Sequence, residues 1–169
     1  MTKVNNQENF LAMIQAHRGI IYKVANAYCS DTEARKDLVQ EIIIQLWKSF
    51  DNYNSQYKHS TWIYRIALNT AISHYRKETS RKKLAAPLAE QMLYLAEDTD
   101  SREPDRQLQY LQQFIATLKP FDRALLLLYL EENPHAVIAD IMGISVSNVA
   151  TKIGRIKDIL KQKFALIKN

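Results

Sequence analysis

The chain has 169 residues and a formal net charge of +5, and 47% of its residues are hydrophobic. This is the composition of an ordinary globular protein, with enough chain for one domain or two small ones. No apolar run reaches the roughly 18 residues that cross a bilayer, and the N-terminus lacks a signal-peptide pattern, so we expect no membrane insertion. The single cysteine, Cys29, cannot form an internal disulfide, which indicates a reducing, cytoplasmic location.

Glycine and proline are scarce, and apolar residues recur mostly at intervals of three and four. This pattern predicts an all-α protein. The charge is uneven, since residues 1–83 carry a net +6, residues 84–106 a net −4 and residues 107–169 a net +3. The middle segment contains two prolines and the cluster EDTDSREPD, which is typical of a linker. We therefore predict two small helical domains, 1–83 and 107–169, joined by the acidic linker 84–106.

The N-terminal block begins with two amphipathic helices, the first over residues 8–28 and the second in KDLVQEIIIQLWKSF. The second helix has a core stripe of Leu38, Ile42, Leu46 and Trp47. Its other side is acidic and rich in amides, and carries Asp37, Gln40, Glu41 and Gln45. That side is either ordinary solvated surface or a docking site for a basic protein partner.

A polar loop with two tyrosines, DNYNSQYKHS, precedes the third helix. Its rings either tuck back onto their own domain or stack on nucleic-acid bases, a contact worth roughly 1 to 3 kcal/mol per base. We predict that Thr61 caps the third helix, most of whose circumference is apolar. The remaining positions step by three or four residues: Trp62, Arg65, Asn69, Ser73 and Arg76. Aromatic and basic groups along one line are typical of a surface that binds single-stranded nucleic acid.

The C-terminal block contains the most specific pattern of the chain, NPHAVIADIMGISVSNVATKIGRIKDILKQKF. Pro134 begins a helix that stops at Gly143, and Ser145 is a suitable N-cap for the next helix. This is the helix-turn-helix pattern, in which the second helix enters a major groove. Its candidate DNA contacts are Ser145, Ser147, Asn148, Thr151, Lys152 and Arg155. The alternative is a helical hairpin within a bundle, its charges merely solvated.

Three of these segments resemble, in order, the motifs of the extracytoplasmic-function sigma factors of bacterial RNA polymerase. They are DLVQEIIIQLW at 37–47, STWIYRIALNTAISHYRK at 60–77 and IADIMGISVSNVATKIGRIKDIL at 138–160. The resemblance implies a region 2 domain, residues 1–83, that binds core polymerase and recognises and melts the minus-ten element. It also implies a region 4 domain, residues 107–169, that reads the minus-thirty-five element as duplex.

The same resemblance assigns partners to named residues. The core-polymerase surface would consist of Asp37, Leu38, Gln40, Glu41 and Trp47. The minus-ten and melting surface would consist of Asn54, Tyr57, Lys58, His59, Trp62, Arg65, Asn69, Ser73, Arg76 and Lys77. The implied partners are core RNA polymerase, promoter DNA as duplex and as melted non-template strand, and an anti-sigma protein that clamps between the two domains.

The chain departs from the family pattern at several positions. Many relatives carry an aromatic residue and an arginine where this chain has His59 and Ser60, and an arginine is frequent where it has Leu68. Ala150 stands where a basic residue is common in the recognition helix. These changes reduce the number of cationic contacts, so we expect this protein to read its DNA differently from its relatives.

Two other classes of function compete with this interpretation. A helix-turn-helix regulator that acts without polymerase, its N-terminal domain serving as sensor or dimeriser, would bind duplex promoter tightly by itself. An enzyme is disfavoured because the four histidines lie in separate segments, without metal-ligand spacing, and because the chain has no phosphate-binding glycine loop. We therefore expect no enzymatic activity, no cofactor and no metal.

Overall fold

The computed structural model describes residues 2–85 and 103–167. Its helices before residue 86 are α1 (Thr2–Tyr28), α2 (Thr32–Ser49) and α3 (His59–Ala85), with a short 3-10 helix at Phe50–Asn52. Those after residue 102 are α4 (Glu103–Thr117), α5 (Pro120–Leu130), α6 (His135–Met142) and α7 (Val146–Ile167). Both described ranges are free of strands, and the predicted all-α fold is confirmed. Most of the predicted linker lies outside the described residues, and its two ends belong to α3 and α4.

The first bundle consists of α1, α2 and α3. The carboxylate of Asp31 begins α2 by accepting a hydrogen bond from the Ala34 amide at 3.1 Å. The core takes one apolar stripe from each helix: Ile21, Val24, Ala25, Leu38, Ile42, Leu46, Ile63, Ala67, Leu68 and Ala71. Two expectations need correction. Since α3 begins at His59, Thr61 lies inside its first turn and does not cap it. Trp47 is 46% exposed, so it borders the core and does not belong to its interior.

The second bundle is built from α5, α6 and α7. Gly143 ends α6 with φ +68°, a left-handed conformation that suits glycine, and its amide donates to the Ala139 carbonyl at 2.9 Å. Ser145 then caps α7, because its Oγ accepts a hydrogen bond from the Asn148 amide at 3.1 Å. The chain turns by 102° between α6 and α7. That angle lies in the range of a helix-turn-helix, as the sequence predicts.

No described helix is by itself long and apolar enough to cross a bilayer. Only the sharply bent pair of α6 and α7 has the required length and composition when the two are taken together.

The two bundles pack against each other through α1 and α3 on one side and α4, α5 and α6 on the other. A cleft of about 780 Å³ remains between them. Its walls come from the C-terminal end of α1, the beginning of α2, the second half of α3, and parts of α4 and α5.

Candidate nucleic-acid interface

Four polar residues form an exposed face on the N-terminal half of α7, which we call the α7 face: Ser147, Asn148, Thr151 and Arg155. Below them, Val149, Ile153 and Ile156 are buried, so packing against α5 and α6 fixes the orientation of the helix. The hydroxyl of Thr151 donates to the Ser147 carbonyl at 3.0 Å. The α7 face thus presents hydrogen-bonding groups and one guanidinium to solvent.

Two residues of the predicted helix-turn-helix set are engaged within their own domain. The Ser145 hydroxyl serves as the cap of α7 and lies 3.2 Å from the Ser147 hydroxyl. Lys152 is half-buried, with its Nζ 5.6 Å from the centre of the Phe121 ring. Four of the six predicted residues therefore share one free face.

The loop before α3 is organised by its aromatic residues. Tyr53 packs against both Trp62 and His59, each with ring centroids 5.1 Å apart, and its hydroxyl donates to the Tyr57 carbonyl. The Tyr57 ring points outward and is 40% exposed. Of the two interpretations of the loop tyrosines, Tyr53 follows the one in which the ring tucks back, and Tyr57 keeps a surface on which a base can stack.

The predicted line along α3 is present as one face, which we call the α3 stripe: Trp62, Arg65, Asn69, Ser73 and Arg76. The last three are exposed, whereas Trp62 and Arg65 are half-buried. The remaining predicted contacts Asn54, Lys58, His59 and Lys77 are exposed around the loop and along α3. Leu68 is buried in the core, so this position does not face DNA, and its departure from the family pattern changes no contact on the stripe.

Arg65 is half-buried because its guanidinium has two neighbours. Its Cζ lies 5.6 Å from the centre of the Tyr57 ring, and its Nη2 donates a hydrogen bond to the backbone carbonyl of Asp140 in α6. Asp140 belongs to the last turn of α6, where carbonyls lack partners within the helix and the helix dipole is negative. A cation of the α3 stripe is thus held by the opposite bundle.

The acidic side of α2 also lies open. Asp37, Gln40 and Glu41 are exposed, and Trp47 is half-exposed, with its ring edge-on to Phe10 at 4.9 Å. We call these four residues of α2 the α2 surface. Leu38 is fully buried in the bundle core, so it cannot contact a partner and is excluded from this surface.

A buried contact between the bundles centres on Arg123 of α5, the only side chain that is both charged and buried within residues 4–81 and 106–166. It donates to the Ala27 carbonyl at 3.1 Å and to the Ala116 carbonyl at 2.8 Å. These carbonyls lie in the last turns of α1 and α4, so one cation stabilises two helix ends. Its Cζ also lies 5.2 Å and 4.7 Å from the ring centres of Tyr28 and Tyr75.

Two further contacts join the bundles beside Arg123. The Tyr28 hydroxyl donates to the Pro120 carbonyl at 2.7 Å, and Lys23 Nζ lies 2.7 Å from Glu131 Oε2. Burial raises the pKa of Tyr28 well above its ordinary value, and Tyr75 acts in the same direction while Arg123 opposes it. The hydrogen bond to Glu131 raises the pKa of Lys23. We call the group of Lys23, Tyr28, Tyr75, Arg123 and Glu131 the latch.

Sequence reasoning missed the latch entirely. Its members lie in different segments, and no local motif links them. One signal was present, because Arg123 is a single cation in the otherwise strongly apolar helix FDRALLLLYL. An apolar helix of this kind must be buried, and a charge that is buried with it needs hydrogen-bond partners. This requirement points to a contact beyond the helix itself.

Comparison with known families accounts for both bundles. Residues 13–81 match the family Sigma-70 region 2, and residues 108–160 match the family Sigma-70, region 4. The chain is 27% identical to the ECF RNA polymerase sigma factor SigW of Bacillus subtilis, over 95% of this chain and 91% of SigW. It is 23% identical to the ECF RNA polymerase sigma-E factor of Haemophilus influenzae, over 94% and 88% of the two chains.

Solved structures show the same fold. CnrH in complex with the cytosolic domain of CnrY matches with a TM-score of 0.67 at 18% identity, over 95% of this chain and 90% of CnrH. The sigma factor RpoE in complex with the anti-sigma factor NepR from Bartonella quintana matches with a TM-score of 0.64 at 17% identity, over 92% and 94% of the chains.

Proposed function

The chain belongs to the extracytoplasmic-function group of RNA polymerase sigma factors, and from this premise we propose which of its surfaces performs each step. Such a factor binds core RNA polymerase, directs it to specific promoters and helps to melt promoter DNA. We assign polymerase binding and minus-ten melting to the domain of residues 1–83, and minus-thirty-five recognition to the domain of residues 107–169. The observation that supports this division is that the two bundles carry DNA faces of different chemistry.

The α2 surface is the proposed contact with core polymerase. Asp37 and Glu41 are one helical turn apart and both are exposed, and Trp47, further along the same helix, is half-exposed. Two exposed carboxylates and an exposed aromatic ring on one helix suit a partner surface that presents basic side chains and an apolar patch. Of the two interpretations of the acidic side of α2, solvated surface or docking site for a basic partner, we therefore propose the docking site.

The α3 stripe and the loop before it are the proposed melting surface. Extruding a base from duplex DNA costs a few kcal/mol of stacking and pairing. An exposed ring at Tyr57 can stack on the extruded base, while Arg65 and Arg76 follow the phosphates. The free energy of these contacts offsets the cost of strand opening, and no covalent step is required of the chain. We infer that the factor is not itself an enzyme and acts in the cytoplasm, where core polymerase is found.

The α7 face is the proposed reader of the minus-thirty-five duplex. Asn148 and Ser147 lie at the N-terminal end of α7, the part of a recognition helix that reaches base edges. Arg155 lies two turns further along the same face, where a guanidinium contacts phosphate or guanine. Polar groups at the helix start specify sequence, and the cation adds affinity that depends on salt.

An anti-sigma protein is a further proposed partner. One of the solved relatives with this fold is held in complex with an anti-sigma factor. The cleft between the bundles offers a surface to which both domains contribute. A protein that fills this cleft would restrain both DNA-binding domains at once.

Charge reversal on the α2 surface tests the polymerase assignment. Glu41→Lys should weaken binding to core polymerase by more than tenfold, because a cation would then face the basic groups of the partner. Helical content should not change, since Glu41 is exposed. The measurements are affinity for fluorescently labelled core polymerase and far-ultraviolet circular dichroism.

The matched control is Asp158→Lys, an exposed reversal on α7 in the other bundle. Unchanged affinity for Glu41→Lys would remove the assignment. A second arm measures promoter binding with and without core polymerase. Equally tight duplex binding in both cases would favour a regulator that acts alone.

A further inference from the structure

The loop before α3 contains a turn that is closed by its own hydrogen bonds. The Tyr57 amide donates to the Asn54 carbonyl at 3.1 Å, and the Gln56 amide donates to Asn54 Oδ1 at 3.0 Å. The first bond closes a β-turn, and the second is the side-chain bond by which asparagine stabilises turns. The backbone of residues 54–57 therefore has a defined conformation before a base reaches it.

Tyr53 connects this turn to α3. Its ring packs against Trp62 and His59, with the centroids of each ring pair 5.1 Å apart, so the side chain is half-buried although it belongs to an exposed loop. From that position its hydroxyl donates to the carbonyl of Tyr57, the last residue of the turn. The ring thus anchors the hydroxyl on α3, and the hydroxyl fixes the end of the turn that carries the Tyr57 side chain.

The two faces of the Tyr57 ring have different surroundings. Arg65 of α3 places its Cζ over the ring, 5.6 Å from the ring centre, in a cation–π contact. The residue is nevertheless 40% exposed. Since the guanidinium occupies one face of the ring, a base can stack only on the other face.

The orientation of this ring decides how well it captures a base. An extruded base is rarely available, and a loop that must first be ordered loses conformational entropy at the moment of capture. A loop that already has the binding conformation avoids this cost, which is the advantage of preorganisation. A hydroxyl that fixes the turn therefore affects base capture without touching DNA.

We propose that Tyr53 is a positioning residue for strand melting, whose hydroxyl fixes the turn that presents the free face of Tyr57 to an extruded base of the non-template strand. This rests on the function proposed above for the α3 stripe and its loop. Asn54 acts in the same way, because its Oδ1 is bound to the Gln56 amide, although the family resemblance places it among the DNA contacts. Stacking on Tyr57 selects an unpaired base and not a particular sequence, since every base offers a π face.

Tyr53→Phe tests the proposal, because it removes the hydroxyl and keeps the ring against Trp62 and His59. The probe is a forked promoter whose unpaired non-template strand carries 2-aminopurine in the minus-ten element, bound by the complex with core polymerase. The affinity for the unpaired strand should fall about fivefold, the loss typical of one hydrogen bond, while binding to a minus-thirty-five duplex should change by less than about twofold. The matched control is Tyr22→Phe, which removes the hydroxyl of a tyrosine that is 53% exposed on α1.

A double-mutant cycle separates positioning from a general effect on stability. Tyr57→Ala removes the ring and keeps the backbone carbonyl that accepts from Tyr53. In that background Tyr53→Phe should lower the affinity by less than about 1.5-fold, since no ring is left to orient. The same small effect is expected on a fork whose minus-ten bases are replaced by abasic sites. A merely structural role of Tyr53 would lower the affinity in both cases.

The outcomes distinguish this proposal from the assigned function. If the unchanged protein forms no open complexes with core polymerase, the assigned function itself fails. If it does form them and Tyr53→Phe keeps full affinity for the unpaired strand, the positioning role is overturned and the function stands. An undiminished loss in the Tyr57→Ala background, or an unchanged affinity of Tyr57→Ala itself, would also overturn it, because Tyr53 would then not act through the ring.

Discussion

The α7 face and the α3 stripe are both helical surfaces suited to DNA, yet they differ in how they are built and in how accessible they are. The α7 face is polar, carries one guanidinium and lies entirely in solvent. The α3 stripe is aromatic and basic, and its first two members are half-buried among loop rings and the opposite bundle. A duplex reader needs only a groove to enter, whereas a melting surface must capture a base that is rarely available.

With the roles proposed above, the difference implies that one chain could regulate two DNA-binding steps separately. Only the α3 stripe is covered, so the contact that covers it would control strand opening and leave duplex recognition unaffected. The effects of substitutions on the two faces should therefore separate.

Arg65→Ala should give the largest separation. Open-complex formation on duplex promoter should fall about thirtyfold, because a charge-assisted contact to DNA worth about 2 kcal/mol is lost in the melted complex. Binding of the holoenzyme to a minus-thirty-five duplex fragment should change less than twofold. Both are measured by fluorescence on labelled promoter DNA.

The control for Arg65 is Arg18→Ala, which removes an exposed guanidinium from α1. Faster opening by Arg65→Ala would mean that Arg65 serves only to hold the two bundles together. Equal losses in melting and duplex binding would erase the distinction between the two faces.

Arg155→Ala should give a smaller effect on the other side of the comparison. Binding to the minus-thirty-five duplex should weaken about fivefold, and the dependence of log K on log salt should become shallower by about one unit, because one phosphate contact is removed. Lys161→Ala, an exposed change further along α7, should alter both less. A template without a minus-thirty-five element should open at an unchanged rate; a slower rate would place Arg155 in the melting step.

The smallest expected effect is the pH dependence of domain closure, the packing of the two bundles against each other. Burial raises the pKa of Tyr28 above its ordinary value of 10.0 in the closed protein, so the closed state retains the proton that the open state loses. Closure is therefore fully stabilised below about pH 10 and weakens as the pH rises further. Fluorescence energy transfer between two dyes, one attached to each bundle, should therefore fall above pH 10.

The matched variant for this titration is Tyr28→Phe, which keeps the ring beside Arg123 and removes the proton. It should show a smaller alkaline change, because Lys23 and Tyr64 would then be left to contribute. The hydrogen bond to Glu131 raises the pKa of Lys23, and burial together with the charge of Glu131 raises the pKa of Tyr64. An unchanged alkaline profile in Tyr28→Phe would exclude this hydroxyl as a source of the pH dependence.

Much of the fold, and which residues share each candidate DNA face, could be predicted from the sequence because their signals are local. Helical periodicity separates Asn69 and Ser73 from the buried Ala67 and Ala71 without knowledge of the tertiary structure. The cap at Ser145 and the left-handed Gly143 are likewise specified by their immediate neighbours. The assignment of partners came from the family resemblance and not from periodicity.

The remaining features depend on contacts that are distant in sequence. The sequence gives no sign that Arg65 binds the Asp140 carbonyl, which lies 75 residues away. It likewise gives no partner for Arg123, which in the structure contacts Ala27 and two tyrosine rings. Leu38 is on the same helix as the α2 surface, yet it points into the core. A motif gives the residues of a segment but not the direction in which each side chain points.

Arg123 also sets an order of events during synthesis. Its carbonyl partner at Ala27 precedes it by 96 residues, so at about 5 to 20 residues per second Ala27 is synthesised roughly 5 to 20 seconds before Arg123. Until Arg123 is made, the rings of Tyr28 and Tyr75 lack the cation that packs against both of them. All residues of the first bundle are therefore synthesised before α5 and α6, the helices that pack against α3 and cover part of the α3 stripe.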